Sequence, residues 1–383
     1  MTSEGHRRPL ILWLAGVGWD EVRGTDSRLV EELSTTATVL WCDPPRRGWT
    51  VPLAEMARPF DAVAPNVLRI RVPALPWSSR YGVRVVTAAQ TRAAVRRALQ
   101  ALDVVPDLQV VASPIQRFVP GVGGTKVYYQ TDDWLGGASL MGLSPSFVSR
   151  NIRANCWEAD VVGAVTEVLL HEVMGAHAPV RPETRLQVLA NGCYEIAPVA
   201  GPSERDAVAG LVGQLNERLD LEALGALAEA QVPLRVIGPR TEKDPAFGRR
   251  LDTVLSAPSV EYLGPVPADA VPGHLARLGV GLTPYDLTPF NRASFPLKSL
   301  EYLAGGLAVV STDLPAVAWL GTDLISVARS PEEFAVRTRH AIATRGTDEA
   351  EMDRRAFAAG HTWARRADDL LDLTVVRGWS RHG

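Results

Sequence analysis

Residues 279–312 read GVGLTPYDLTPFNRASFPLKSLEYLAGGLAVVST, and the fold follows from how this stretch is built. An apolar run, Val280 to Thr283, reads as a strand, and a polar loop follows from Asp286 to Arg292. The pattern then predicts a helix over Phe295 to Ala304, stopped by Gly305-Gly306, and a second apolar strand over Leu307 to Ser311. Strand, loop, helix and strand make one βαβ unit, whose parallel strands put the loop at their carboxyl ends. In open α/β sheets ligands sit at that edge, where a helix N-terminus can receive an anion. Lys298 and Glu301 lie three apart on the helix and so share a face. A lysine there can neutralise phosphate while a glutamate accepts hydrogen bonds from sugar hydroxyls, the pair of tasks that a nucleotide-diphosphate-sugar site requires.

Working outward, the same grammar repeats. In the first half, apolar runs predict strands at Leu10–Leu14, Val39–Cys42, Val67–Val72, Leu108–Ala112, Lys126–Gln130, Val161–Thr166 and Leu186–Leu189. Several are continuously apolar, as expected of parallel strands covered on both faces. Helical patterns alternate with them, most clearly over Thr87–Leu102. The second half restarts with strands at Val208–Gly213, Leu234–Gly238 and Val260–Gly264 and helices at Leu219–Ala230, Pro272–Leu278, Glu332–Ala343 and Glu349–Leu373. The polar Gly/Pro stretch Ala197–Arg205 between the halves reads as a linker. The expected class is α/β, with two doubly wound domains, 1–196 and 197–383.

Composition narrows the function. A length of 383 residues with 46% hydrophobic and 22% charged residues fits two ordinary globular cores, and a net charge of -3 gives no basic field for nucleic acid. The three cysteines, Cys42, Cys156 and Cys193, are too scattered for a disulfide framework or a zinc site and read as small buried apolar residues. The apolar run near the start is strand-length, too short for a secretion signal, and no run reaches membrane-span length. The expectation is a cytoplasmic protein.

Several segments carry candidate chemistry. Gly16 and Gly18 follow the first strand; they could let backbone approach a ligand or simply make the tight turn, since no third glycine completes a dinucleotide fingerprint. In KVYYQTDDWLGG (126–137), Asp132 and Asp133 stand at a strand's carboxyl end, where acids bind hydroxyls, orient a reacting group or cap the next helix. A metal is the weaker reading, because no further ligand lies nearby in sequence. Arg46, Arg47 and Trp49 fall in a charged Pro-rich loop that could touch an acceptor, a phospholipid surface or solvent. His171 and His177 read as surface or helix-end residues. Gly213 begins the loop GQLNER (213–218), where Arg218 is a candidate cation.

These residues also carry a resemblance. ASFPLKSLEYLAGGLAVVSTDLP (293–315) resembles the donor-binding segment of GT-B glycosyltransferases of the retaining, glycogen-synthase-like group (family 4-like). The form with Lys298 is more like a branch of bacterial cell-surface enzymes that includes teichuronic acid glycosyltransferases. The resemblance implies two Rossmann-like domains facing a central cleft, with acceptor on the N-terminal side and nucleotide sugar on the C-terminal side. It implies transfer from a nucleotide-diphosphate sugar to a glycan, lipid-linked or natural-product acceptor, with retention and with no metal or other cofactor.

Carried over residue by residue, Glu301 would hold the ribose hydroxyls, Ser294 and Phe295 would stand beside the donor, and Lys298, Arg218 and Gly213 would meet the diphosphate. The base would lie near Val266. The group's first motif Glu falls on Ala293 and its loop Arg on Gln214, so both are missing here; its Thr-x-His is replaced by the Asp132-Asp133 pair. Residues 159–167 resemble the strand and turn that close the first domain, Leu189–Tyr194 resembles the strand end that starts the crossing between domains, and Trp363 would be a packing anchor between domains, with the final helix returning toward the first. Two other readings stay open: a nucleotide-sugar 2-epimerase and a non-catalytic nucleotide-sugar-binding partner. Arg92, Arg96 and Arg97 on one helix face could meet anionic headgroups, giving peripheral membrane contact, or could simply be solvated.

Overall fold

The computed structural model describes residues 7–21, 24–47, 58–74, 82–138, 141–175, 178–196, 205–344 and 348–374. Trp49, His177 and linker residues 197–204 lie outside the described residues. The chain divides into two compact units: Met1–Ala190 with Trp363–Gly383, and Asn191–Thr362.

Unit 1 is built on strands β1 (Leu10–Ala15), β2 (Thr38–Cys42), β3 (Arg46–Arg47), β4 (Asp61–Ala64), β5 (Val67–Ile70), β6 (Pro73–Ala74), β7 (Leu108–Ala112), β8 (Thr125–Gln130), β9 (Val161–Ala164) and β10 (Arg185–Val188). Eight of these form a sheet in the order β10-β9-β8-β7-β1-β2-β5-β4; only β4 is antiparallel in it, and β3 and β6 pair separately. Helices α1 (Thr25–Thr36), α2 (Val83–Leu102) and α3 (Pro145–Glu158) join them. The apolar runs are buried end to end in β1 and β7, as their lack of alternation requires. Trp13 on β1 stacks on its register partner Trp41 on β2 at 6.4 Å, and Tyr129 on β8 meets Trp13 edge-on. Each such aromatic pair contributes about 0.5–1.5 kcal/mol beyond its buried area.

Unit 2 holds a six-stranded, wholly parallel sheet: β11 (Ala209–Val212), β12 (Leu234–Ile237), β13 (Val260–Gly264), β14 (Val280–Thr283), β15 (Ala308–Thr312) and β16 (Ile325–Ala328), in the order β13-β12-β11-β14-β15-β16. The order reverses between β11 and β14. Around it run α4 (Leu221–Glu229), α5 (Pro245–Leu255), α6 (Val271–Arg277), α7 (Pro289–Ala293), α8 (Leu297–Ala304), α9 (Pro315–Trp319), α10 (Pro331–Ala343) and α11 (Asp348–Ala359). Leu224, Leu227, Leu234, Val280, Val310 and Phe334 form the centre of its core.

Three sequence expectations are corrected. The polar loop 286–292 contains the helical turn α7, because Thr288 caps it, accepting from the Asn291 amide, and Pro289 opens it. The helix expected from Phe295 starts at Leu297, with Pro296 as its N-cap. The single helix expected over 349–373 is broken at Gly360–Thr362. Past that break, the helix Trp363–Leu371 belongs to unit 1, where it packs on α1 with Trp363 buried and the Arg28 guanidinium 6.0 Å from its ring centre.

Candidate functional site

In unit 2 the carboxyl ends of β11, β12 and β14 meet the amino end of α8. Two glycines make the meeting possible. Gly238, after β12, has φ +143°, and a Cβ there would run into the Gly213 carbonyl. Only glycine allows that approach. Gly281 on β14 leaves room for the ring of Tyr302, whose hydroxyl accepts from the Val212 amide at 2.9 Å. Burial pushes the Tyr302 hydroxyl far above its ordinary range, with Tyr285 and Glu301 adding to it and the Val212 amide pulling the other way, so it stays neutral. Thr283 and Ser299 hydroxyls lie 3.3 Å apart, a second tie between β14 and α8. These ties fix the rotation of α8 over the sheet, and so decide which of its faces looks at the strand ends.

The face they select carries the predicted pair. Lys298 Nζ donates to Glu301 Oε2 at 2.6 Å, and a Cβ on Gly213 would lie 3.8 Å from Lys298 Cε. The lysine stem therefore passes over the loop that begins at Gly213. Both side chains are partly solvent-exposed, 30% and 17%. No side chain caps α8, so no side-chain cap competes with a ligand for its first-turn amides.

Arg218 is held from three sides. Its Nε donates to Asn291 Oδ1 at 2.8 Å, and its guanidinium sits 5.3 Å from the Tyr285 ring centre and 5.2 Å from that of Phe290. Asn291, buried, returns hydrogen bonds to the carbonyls of Arg218 and Asp286. Tyr285 is held in turn by Thr312, whose hydroxyl donates to its carbonyl at 2.7 Å. Burial raises the Tyr285 hydroxyl above its usual range; Arg218 lowers it and Glu301 raises it, so this tyrosine feels both charged residues.

Of the residues singled out by sequence, Gly213, Lys298 and Glu301 thus come together, and Arg218 is linked to them through Tyr285, which feels both Arg218 and Glu301. Ser294 donates to the Phe290 carbonyl at 2.9 Å, holding the turn between α7 and α8. Phe295 is a core residue, buried edge-on against Trp319 at 6.2 Å, and it anchors the start of α8. Val266 is half-buried just past β13, and Gln214 is exposed. Asn291, Tyr285 and Tyr302 were not singled out; a buried asparagine between two loops has no local signal.

Unit 1 places its candidates at the carboxyl ends of β1 and β8. Gly16 passes so close to the Ala112 carbonyl that a Cβ would lie 2.8 Å from it, and the Gly18 amide donates to Glu21 Oε2. The next residue is pinned too: Asp43 accepts from the amide of Trp19 and the indole of Trp41, and the buried Arg69 bonds Asp43 and Asp20 at 2.7 Å each. Asp132 Oδ1 accepts from the Asp133 amide, and Asp133 Oδ1 caps the following turn by accepting from the Gly136 amide at 2.8 Å. Among the described residues no group of three or more His, Cys, Asp or Glu could hold a metal ion. No helix there is long and apolar enough to cross a membrane.

The whole chain is similar to known structures. Sucrose-phosphate synthase from Thermosynechococcus elongatus superposes with a TM-score of 0.69 over 97% of this chain and 99% of its own, at 15% identity. Anabaena HepE in complex with UDP and glucose does so at 0.62 over 96% and 100%, at 16% identity. Identities this low establish the fold alone, and the fold is GT-B. The Bacillus subtilis (strain 168) protein TuaH, named as a teichuronic acid biosynthesis glycosyltransferase, is 28% identical over 176 residues, covering 44% of this chain and 43% of TuaH. Residues 207–344, which hold the whole Lys298–Glu301 site, match the family described as Glycosyl transferases group 1.

Proposed function

We propose that this chain transfers a sugar from a nucleotide-diphosphate sugar to a glycan, lipid-linked or natural-product acceptor. The observation that carries the reading is the Lys298–Glu301 pair lying over Gly213 at the open edge of the unit 2 sheet. In this reading Glu301 accepts from the ribose hydroxyls. Lys298 and the amino end of α8 take the charge that grows on the diphosphate as the anomeric bond breaks, and Arg218 adds a second cation from the side. A helix N-terminus contributes about 0.3–2 kcal/mol toward an anion and a charge-assisted hydrogen bond about 1.5–3. The reaction proposed needs no metal, since these groups supply the positive charge. Retention of configuration rests on the resemblance of residues 293–315.

The HepE complex makes uridine diphosphate the first nucleotide to test, and TuaH makes an acidic cell-surface glycan a fitting product. On the acceptor side, Asp132 and Asp133 act as positioning residues for the β8 loop. A cytoplasmic enzyme with peripheral membrane contact suits a lipid-linked acceptor.

The test is thermal unfolding against a panel of nucleoside diphosphates, with wild type and Glu301→Ala. A ligand at a hundred times its Kd adds about 2.7 kcal/mol of stability. One base should raise Tm in the wild type and not in the variant, and transfer assays with that donor then separate transferase from epimerase. No shift with any nucleotide in a folded protein would overturn the donor site.

A further inference from the structure

We propose that the outer face of α3 binds an acidic saccharide. The helix buries Val148, Asn151, Ile152, Asn155 and Cys156 against the sheet. Its other face presents Arg150, Arg153 and Trp157, spaced three and four apart and therefore in one line. They form one wall of a hollow of about 420 Å³ that Arg117, Glu158 and Pro179 complete. Glu158 is committed: it pairs with Arg117 and lies 3.8 Å from Lys126 Nζ. Lys126 is the second residue of β8, so this end of the hollow lies at the amino-terminal edge of the sheet, opposite the edge that carries Asp132 and Asp133.

Three features specify the occupant. Arg150 and Arg153 are exposed, line the hollow and make no ion pair or side-chain hydrogen bond among the described residues, so two forked donors stand unspent at its rim. An arginine fork matches a carboxylate or phosphate two bonds at a time. Trp157 is 54% exposed, an unusual state for the largest apolar side chain, and it lines the same hollow. A saccharide ring offers both counterparts: an apolar C–H face for the indole and, in a uronate or phosphorylated sugar, an anion at its rim.

The hollow is shallow and open, and its volume falls in the range that small ligands fill, roughly 300–1,000 Å³. A bilayer surface fits it less well. Interfacial helices bury a broad apolar face, and Trp157 here has only Ala154 and Pro179 as apolar company in the hollow. The step from anion to acidic saccharide rests on the transferase reading; the charge and shape of the hollow do not.

The experiment is titration calorimetry of the full chain with an oligogalacturonate, and with a maltooligosaccharide of equal length as the neutral control. It is repeated for Arg150→Ala/Arg153→Ala and Trp157→Ala, with no nucleotide present. All three residues are exposed, so the variants keep the fold, which circular dichroism checks. Oligogalacturonate should bind, more weakly at high salt; the arginine variant should lose roughly tenfold or more, as expected for charge-assisted hydrogen bonds, and the Trp157 variant should bind measurably more weakly for want of the apolar ring surface. The maltooligosaccharide should not bind. Unchanged affinity in either variant, or no binding of the oligogalacturonate, overturns the proposal. So does sedimentation with phosphatidylglycerol vesicles that the arginine variant abolishes while oligogalacturonate fails to bind. Glu301→Ala should bind the oligogalacturonate as wild type does, so failure of the donor site and failure of this one are read separately.

Discussion

Replacing Lys298 by Met separates what the lysine does for the fold from what it does for a ligand. Its Nζ sits 2.6 Å from Glu301 Oε2, with the two side chains 30% and 17% exposed. Pairs this open to solvent contribute about 0–1 kcal/mol to stability. A loss of that size shifts Tm by about 2–4 °C at most in a unit of this length. Met keeps the stem that covers Gly213, so packing changes little. Bound to a diphosphate, the same ammonium makes a charge-assisted hydrogen bond of about 1.5–3 kcal/mol. Its loss should therefore weaken uridine diphosphate by roughly ten- to 150-fold, at about 1.4 kcal/mol per factor of ten. Calorimetric titration gives the affinity and thermal unfolding without ligand gives the stability, on the same preparations. A variant that loses several kcal/mol of stability while binding the nucleotide as tightly as wild type would make Lys298 a strut of α8 and refute its phosphate role.

Three further outcomes are expected. Gly238→Ala should cost about 1–3 kcal/mol for its left-handed backbone alone, and more for the collision with the Gly213 carbonyl, read as a lower urea midpoint with unchanged slope. Arg205→Met should cost about 1–3 kcal/mol by chemical denaturation, because the carbonyls of Leu275, Ala276 and Leu278 lose a donor and Glu351 loses one of its two arginine partners, keeping Arg355. Asp26, buried at the start of α1, has its carboxyl pushed up from 3.8 to about 7, chiefly by burial, with the Trp13 indole and the Gly16 amide pulling the other way. The folded state thus holds a proton that the unfolded state has released, and the resulting stability is full below about pH 4 and lost as pH rises to 7. Asp26→Asn should gain on wild type across that window, by up to roughly 4 kcal/mol, and run parallel above it; curves parallel throughout would show that Asp26 does not ionise there.

What could be read from sequence was what depends on near neighbours. Parallel strands buried on both faces are continuous apolar runs, so β1, β7, β14 and β15 announced themselves. Lys298 and Glu301 are three apart on a helix, and that spacing alone implied their shared face. The rest depends on residues far apart in the chain. Arg205 and Glu351 are 146 residues apart, and Asn291 ties itself to Arg218 across 73. Neither contact leaves a trace in local composition. The break at Gly360–Thr362 was missed because the pattern resumes on the far side in a helix that packs in the other unit. Of the readings open for Asp132 and Asp133, the contacts show local capping: Asp132 accepts from the Asp133 amide and Asp133 from the Gly136 amide.

The missing loop cation is one of two points, with Ala293, at which this site differs from the pattern it resembles, and under the proposed function Arg218 would offset it. Gln214 stands exposed at the position where the resembled pattern carries an arginine. Arg218 remains, and it is not a free-swinging side chain: Asn291 takes its Nε, and two aromatic rings lie against its guanidinium. Fixing a long side chain before the ligand arrives removes up to about 2 kcal/mol of rotamer entropy that binding would otherwise have to meet. In the proposed function, a pre-set Arg218 and a Lys298 poised over Gly213 would hold a diphosphate with two cations and one helix end. The same argument identifies the residue to watch: Asn291, which touches no ligand in this scheme, should govern nucleotide affinity through the arginine it holds.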